Sequence, residues 1–403
     1  MHLIDLTNTS HSKANTGIQR YCRELYNALL QKQLVQAITW DPYLKAWRGL
    51  DTEEKGLLDV ESLKKVSSRR RPTWSIRQKL TGYARRCFYQ DGHALKNHFE
   101  ALIVPEVFSE DNYNNFPRLA SNLDSGPRIA IFHDSIPLKF PHLSSPKTIA
   151  RLSCYMQQLA TFDAVAPNSE ASKNDLLEAW NALHIKNIPL VKALPLCVEQ
   201  KNEPKIQFSY DKTTKNILCV GSIEGRKNHV ALLEAAETLW AKGEDFQLTL
   251  VGLLNHESGQ KAKTLIDALK EKKRDLRWLG SVNEEILNFE YSQAYFTIYP
   301  SLYEGFGLPV LESLVRGIPC VSSMGGALKE TAQGGGCLLM EDTSSQSIAD
   351  CLARLLHDEA LHRALVQEAL NRKFRTWDEY TDDLLDLIEK AKALKGSGTI
   401  EQK

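Results

Sequence analysis

At 403 residues the chain is too long for one ordinary hydrophobic core and long enough for two domains. Lys plus Arg and Asp plus Glu each count 50, so the formal net charge is zero and no global field points to nucleic acid or any other charged partner. With 42% hydrophobic and 25% charged residues, the composition is that of a folded globular protein, and any electrostatic argument rests on local patches.

The first residues, Met1-His2-Leu3-Ile4-Asp5-Leu6, read as a strand interrupted by Asp5, not as a signal peptide. No apolar run approaches the roughly 20 residues of a membrane span. None of the eight cysteines forms a Cys-x-x-Cys pair, and Cys219 and Cys320 lie in apolar runs where a free thiol acts as a small buried hydrophobe. That is the usage of a reducing compartment, and the expected location is the cytoplasm, with room for peripheral contact with the inner face of a membrane.

Short apolar strands alternating with helical patterns predict an α/β fold with two parallel sheets. The first set of strands falls at 3–6, 101–104, 128–132, 164–167 and 188–193. A polar stretch at 200–205 reads as a linker. A second set follows at 216–220, 247–251, 276–279, 296–299 and 319–322. The segment 374–394, with Trp377, Leu384, Leu385, Leu387 and Ile388 in helical register, closes the chain before a polar tail. The expected domains are 1–200, 201–375 and a C-terminal helix with tail, 376–403.

Within the first set, residues 62–90 carry nine Lys or Arg and no Asp or Glu, densest at Arg69-Arg70-Arg71. From Trp74 onward, Ile76, Leu80, Tyr83, Ala84 and Cys87 share one helical face, with Arg77, Lys79, Arg85 and Arg86 between them. This is the profile of a helix at an anionic membrane surface, or equally of a solvated insertion. Nothing resembles a nucleic-acid reading module.

After the strand at 216–220 comes Gly221-Ser222, then Arg226-Lys227 where the next helix is expected to open. Cations at a helix N-terminus oppose its dipole, so an anionic ligand would account for them. Arg by a bidentate fork and Lys as a point charge suit a diphosphate. After the strand at 296–299 comes Glu304-Gly305-Phe306-Gly307-Leu308-Pro309, and Pro309 predicts a helix start that ends at Gly317. The glycines would bring backbone N–H groups close to a ligand at that helix N-terminus. Glu312 is expected in the first helical turn and Glu304 just before it. Carboxylates accept from hydroxyls, so the pattern fits a ligand with phosphate in the middle and hydroxyls on both sides. Taken singly, Glu312 would only complement the helix dipole and Glu304 would be a solvated loop residue.

Glu304-x7-Glu312 within Glu-Gly-Phe-Gly-Leu-Pro, together with Gly-Ser-x-x-x-Arg-Lys-Asn at 221–228, resembles family 4 (group 1) retaining glycosyltransferases of the GT-B fold. The likeness extends to Leu279-Gly280-Ser281-Val282, similar to a base-binding loop, and to Thr16-Gly17-Ile18, Phe132-His133-Asp134 and Asn168-Ser169-Glu170 in the first domain. The resemblance implies two Rossmann-like domains facing a cleft, with the C-terminal helix returning to the first. Its implied donor is a GDP-, UDP- or dTDP-sugar, held by Gly17, Gly221, Ser222, Arg226, Lys227, Val282, Glu304, Gly305, Phe306, Gly307, Leu308 and Glu312. Arg226 and Lys227 would neutralise the diphosphate, Glu312 would take the ribose hydroxyls, and Glu304 with the amides of 306–308 the sugar and distal phosphate. His133 would sit near the reacting sugar, and Asp134, Ser169 and Glu170 near the acceptor. The catalytic set is then His133, Glu304, Arg226 and Lys227. A hexose would pass to a polysaccharide or lipid-linked oligosaccharide in bacterial surface polysaccharide synthesis. No Asp-x-Asp pair occurs, and neither metal nor cofactor is expected. Leu196-Cys197-Val198-Glu199 departs from the family pattern and is given no ligand.

Three other readings stay open. A Rossmann oxidoreductase needs a third glycine where Val310 stands. Another GT-B enzyme, an epimerase or phosphorylase, would share the donor residues. So would a non-catalytic sugar-nucleotide binder, although the intact charged set argues against it.

Overall fold

In the computed structural model, the described residues are 1–14, 16–59, 72–88, 95, 98–123, 126–198 and 215–396. The expected linker at 200–205, Arg69-Arg70-Arg71 with the rest of 62–71, residues 89–90, Glu199 and the last seven residues lie outside them.

Two sheets organise the chain. The first contains β1 (His2–Asp5), β2 (Val35–Asp41), β3 (Ala46–Gly49), β4 (Leu102–Val104), β5 (Arg128–Phe132), β6 (Ala164–Pro167) and β7 (Leu190–Val191), in the order β3-β2-β1-β4-β5-β6-β7. All neighbours are parallel except β3, which is antiparallel to β2. The second contains β8 (Lys215–Val220), β9 (Phe246–Val251), β10 (Leu276–Trp278), β11 (Phe296–Tyr299), β12 (Cys320–Ser322) and β13 (Cys337–Leu339), in the order β10-β9-β8-β11-β12-β13, all parallel.

Parallel strands covered by helices on both faces need apolar side chains at successive positions, and the sequence supplies them. In β1 and β4, Ile4 and Ile103 point into one core with Leu25 and Leu29, while Leu3 and Leu102 point into another with Trp40, Phe116 and Trp180. This alternation is the period-2 geometry of a strand. The helix Trp377–Gly396 belongs to the first of these cores through Tyr380, Leu384, Leu387, Ile388 and Ala391, and the Tyr380 and Tyr21 hydroxyls lie 2.7 Å apart. The chain therefore crosses from the first sheet to the second and back.

The predicted strands match within one residue at each end, except 188–193, of which only Leu190–Val191 pairs. Three strands were absent from the sequence reading. β2 carries Gln36 and Thr39 among its apolar residues, and β3 and β13 are only four and three residues long. The β2–β3 hairpin holds through a cross-strand pair, with Trp40 opposite Trp47 and ring centroids 5.6 Å apart.

In both sheets the strand order reverses beside the first strand of its set, β1 and β8. The crevice at the carboxyl ends of such strands is where α/β folds bind ligands. Residues Gly221–Lys227 follow β8, Ser301–Gly307 follow β11, and His133-Asp134 follow β5.

Candidate functional site in the cleft between the sheets

Gly307, with φ of 102°, turns the chain into the helix Leu308–Val315, and a side chain there would also meet Leu328 Cδ2 at 2.7 Å. The expected helix start at Pro309 is thus one residue late. Glu312 is the fifth residue of this helix and stands in its second turn, not the first. It is buried and reaches out sideways. Its Oε1 accepts from Arg20 Nη1 at 2.6 Å and its Oε2 from the Tyr291 hydroxyl at 3.1 Å.

Arg226 and Lys227 occupy a short 3-10 turn, Gly225–Lys227, before the helix His229–Ala241, with Asn228 in the left-handed conformation between them. They are therefore set back from the helix start that the sequence suggested. Both ion-pair with Oε1 of Glu304, Lys227 at 2.7 Å, and Lys227 also donates to the Tyr299 hydroxyl. Arg226 further donates to the Tyr303 carbonyl at 2.9 Å and pairs with Glu224 at 2.9 Å. The stem of Lys227 packs 3.7 Å from where a Gly221 side chain would begin.

Burial alone would raise the Glu304 carboxyl, but the Lys227 and Arg226 charges outweigh it and hold the group at about 2. Lys227 itself moves the other way. Its burial, with Arg226 beside it, outweighs the attraction of Glu304, so the ammonium titrates below its ordinary value. A largely buried cation pair sharing one carboxylate oxygen has the chemistry to hold an anion, and here Glu304 is its partner.

The opposite wall comes from the first domain. Burial pushes the His133 imidazole down to about 4, so the ring is neutral near pH 7. Its Nε2 lies 2.8 Å from the Pro105 carbonyl, which can only accept, so Nε2 carries the hydrogen and Nδ1 keeps its lone pair. Such a ring can orient a hydroxyl group but does not supply a positive charge. Asp134 Oδ1 accepts from the Ile136 N–H at 3.1 Å. Gly17 opens the helix Gly17–Gln31 instead of lying in a loop, and a side chain on it would meet Leu308 Cδ1 at 3.6 Å. Phe306 and Leu308 pack against the first domain's core.

The two walls touch at several points. Ser169 and Ser172 hydroxyls both donate to the Gly305 carbonyl, at 2.7 and 3.1 Å. The Glu330 carboxylate accepts from the N–H groups of Glu170 and Ala171, at 3.0 and 2.7 Å, and so caps the helix Glu170–Ala182 from the other domain. The Tyr303 hydroxyl donates to Asp175 and accepts from Lys139 Nζ at 3.1 Å. Ser169 caps its own helix through Ser172 N and bonds across the domains, and the Glu170 carboxylate points to Lys173 at 3.2 Å.

The remaining donor candidates divide. Gly305, Gly307, Leu308, Glu304, Arg226, Lys227, Gly221 and Gly17 come together with His133 and Asp134 along the cleft. Val282 belongs to a neighbouring apolar cluster, half-buried against the set that holds Leu218, Val251 and Tyr291, and Tyr291 links that cluster to Glu312. Ser222 is half-buried beside Gly221. Sequence reasoning passed over Arg20, Tyr291 and Glu330. Their partners are 292, 21 and 160 residues away, and no local spacing signals them. Among the described residues, no three His, Cys, Asp or Glu side chains cluster as metal ligands do.

An Arg20→Gln substitution is expected to loosen the closed arrangement, read as a larger radius of gyration in solution scattering without ligand. Unchanged scattering would mean that the Tyr303 and Glu330 contacts hold the walls together unaided.

Two parallel-sheet α/β domains meeting at the carboxyl ends of their strands constitute the GT-B fold. Sucrose-phosphate synthase from Thermosynechococcus elongatus superposes with a TM-score of 0.65 over 98% of this chain and 100% of its own, at 19% identity. HepE from Anabaena, solved in complex with UDP and glucose, gives 0.65 over 96% and 99%, at 14% identity. Residues 200–372 match the family model of glycosyl transferases group 1. The serotype-specific mannosyltransferase WbdA of Escherichia coli is 24% identical over 373 residues, 82% of this chain and 40% of WbdA. The O-antigen chain mannosyltransferase B of the same organism is 28% identical over 172 residues, 42% of this chain and 44% of that protein. The chain thus spans less than half the length of these relatives.

Proposed function

We propose that the protein is a retaining hexosyltransferase that moves a sugar, mannose or one like it, from a nucleotide diphosphate-sugar to a glycan or lipid-linked acceptor in bacterial surface polysaccharide synthesis. The observation that carries this reading is the Glu304 carboxylate held by Arg226 and Lys227 beside the glycine-flanked start of the helix Leu308–Val315. The names of the relatives, mannosyltransferases of O-antigen assembly among them, support the same reading.

Breaking a glycosyl–phosphate bond builds positive charge on the sugar ring and negative charge on the departing diphosphate. A donor diphosphate would take the place of Glu304 on the two cations, where fixed positive charge in a dry site lowers the barrier most. Glu304, released from them, would accept from the sugar hydroxyls, Glu312 from the ribose, and neutral His133 would orient the sugar from the opposite wall. The leaving phosphate, on the same face as the incoming hydroxyl, would take its proton, so the configuration at the anomeric carbon is kept. The two cations make the departure of the diphosphate independent of a metal, and a chelator is expected to leave turnover unchanged. The enzyme would work at the cytoplasmic face of the membrane that carries its acceptor; among the described residues no helix is long and apolar enough to cross one.

The test is transfer from GDP-, UDP- and dTDP-hexoses to oligosaccharide and lipid-linked acceptors, with the product read by NMR. One donor should give a product with its own anomeric configuration. Glu312→Gln should raise the KM for that donor about tenfold, the effect of one lost charged hydrogen bond. Hydrolysis or epimerisation of the donor without transfer, or an inverted product, would overturn the reading.

A further inference from the structure

Away from the cleft, the helix Ile76–Phe88 is packed with its apolar side outward. Ile76 is 77%, Leu80 65% and Tyr83 53% exposed, and Ala84 and Cys87 are exposed as well. At about 100° per residue these five positions form one stripe about 100° wide. Gln78 and Gly82, on the far side, are the buried residues. Gln78 donates to Glu54 Oε1 at 3.2 Å, and a side chain at Gly82 would come within 2.8 Å of Tyr43 Cβ and 3.1 Å of Asp41 Oδ1. Just before the helix, the Thr73 N–H donates to the His11 carbonyl at 2.8 Å and the Trp74 ring stacks on that of His11, 3.7 Å between centroids.

A surface helix of a water-soluble domain normally does the reverse, burying its stripe and showing its polar side. Here the polar side is fastened to the domain by specific bonds and close contacts, which holds the apolar stripe in place, facing out. Arg77 borders the stripe on one side, and Lys79 and Arg86 on the other, with no acidic residue on the helix. A stripe of Ile, Leu and Tyr edged by cations matches the boundary between acyl chains and anionic head groups, the aliphatic residues entering the first and the cations meeting the second.

We propose that this face docks the protein on an anionic lipid bilayer. The docking itself does not depend on turnover; its purpose rests on the reading above of a lipid-linked acceptor. The segment that anchors the helix through His11 continues within six residues to Gly17, which faces Leu308 in the cleft. A docked helix would therefore hold the first-domain wall of the site close to the head groups, where a lipid-linked acceptor is presented.

The experiment is co-sedimentation of the full chain with vesicles of phosphatidylglycerol and phosphatidylethanolamine, and with vesicles of phosphatidylcholine alone. Binding to the anionic vesicles at low salt, falling roughly tenfold as salt is raised to physiological strength, is expected, with little binding to the neutral ones. Ile76→Ser/Leu80→Ser should bind at least about tenfold more weakly, at unchanged melting temperature and unchanged transfer to a water-soluble acceptor. Arg77→Gln/Arg86→Gln should bind more weakly and respond less to salt. A wild-type chain that ignores anionic vesicles overturns the proposal, as does a double serine variant that binds like wild type. So does a wild-type dimer that falls apart in the serine variant, since the face would then be a protein interface. Loss of transfer activity with vesicle binding intact would instead count against the enzymatic reading alone.

Discussion

Glu304→Gln is expected to lower kcat/KM by about a hundred- to a thousandfold and to destabilise the donor-free protein by about 3–5 kcal/mol. The substitution keeps the shape of the side chain and removes its charge. Arg226 and Lys227 would then face each other in a buried site without their shared anion. A chemical denaturation midpoint measures the stability change. Adding a nucleoside diphosphate should restore more stability to the variant than to wild type, because only in the variant does the ligand replace a missing counter-ion. The sign of the pH effect follows from the depressed carboxyl. Its value is about 2 folded against 4.5 unfolded, so the native state holds the charged form more firmly. The difference between wild type and variant should be full above about pH 4.5 and should shrink as pH falls through about 2. Equal midpoints at pH 7 would mean that the cations do not need Glu304, and the account of the site would fail with them.

Gly305→Val is expected to lower kcat/KM about a hundredfold while leaving each domain folded, because misplacing reacting groups by about an ångström costs that much. The first side-chain carbon at this position would lie 2.6 Å from the His133 carbonyl and 2.8 Å from Asp134 Cβ. The obstacle on one side is backbone, which cannot rotate away. The only relief is to move the walls apart, which also breaks the Ser169 and Ser172 bonds to the Gly305 carbonyl. Solution scattering should show a larger radius, and the far-ultraviolet circular dichroism should not change. Gly56→Ala is the control, since nothing lies within 4 Å of its added carbon. A Gly305→Val protein as compact and active as wild type would show that the walls need not approach this closely.

The parts of the fold legible in the sequence were those written locally. Mostly apolar strands such as β5 and β11 stood out because burial on both faces demands such runs. β2 and β3 did not, because their pairing rests on a tryptophan contact across a hairpin that no period reveals. The site divides in the same way. Glu304, Gly305, Gly307, Arg226 and Lys227 sit within two short stretches, so their types and spacing already singled them out together. Arg20 did not show itself as a partner of Glu312, since only folding brings them together. Ser169 carries a local signal as well. Its local signal, a serine three residues before another with Glu170 between, is that of a helix cap, and the structure uses it as one. Glu312 was placed a turn too early because Pro309 was taken as the first helical residue, whereas Gly307 already caps a helix that begins at Leu308.

The return of the last helix to the first domain ties the halves together twice. Leu196, Cys197 and Val198, where the chain leaves the first sheet, line one small cavity with Trp377, where it comes back. Two connections that both meet the first domain at this one cavity behave like a door with both pins on one edge. They permit swinging and forbid twisting or sliding. Any opening that admits a donor should therefore be greatest at the rim far from Trp377, and each closure should return Gly305 to the same seat beneath His133.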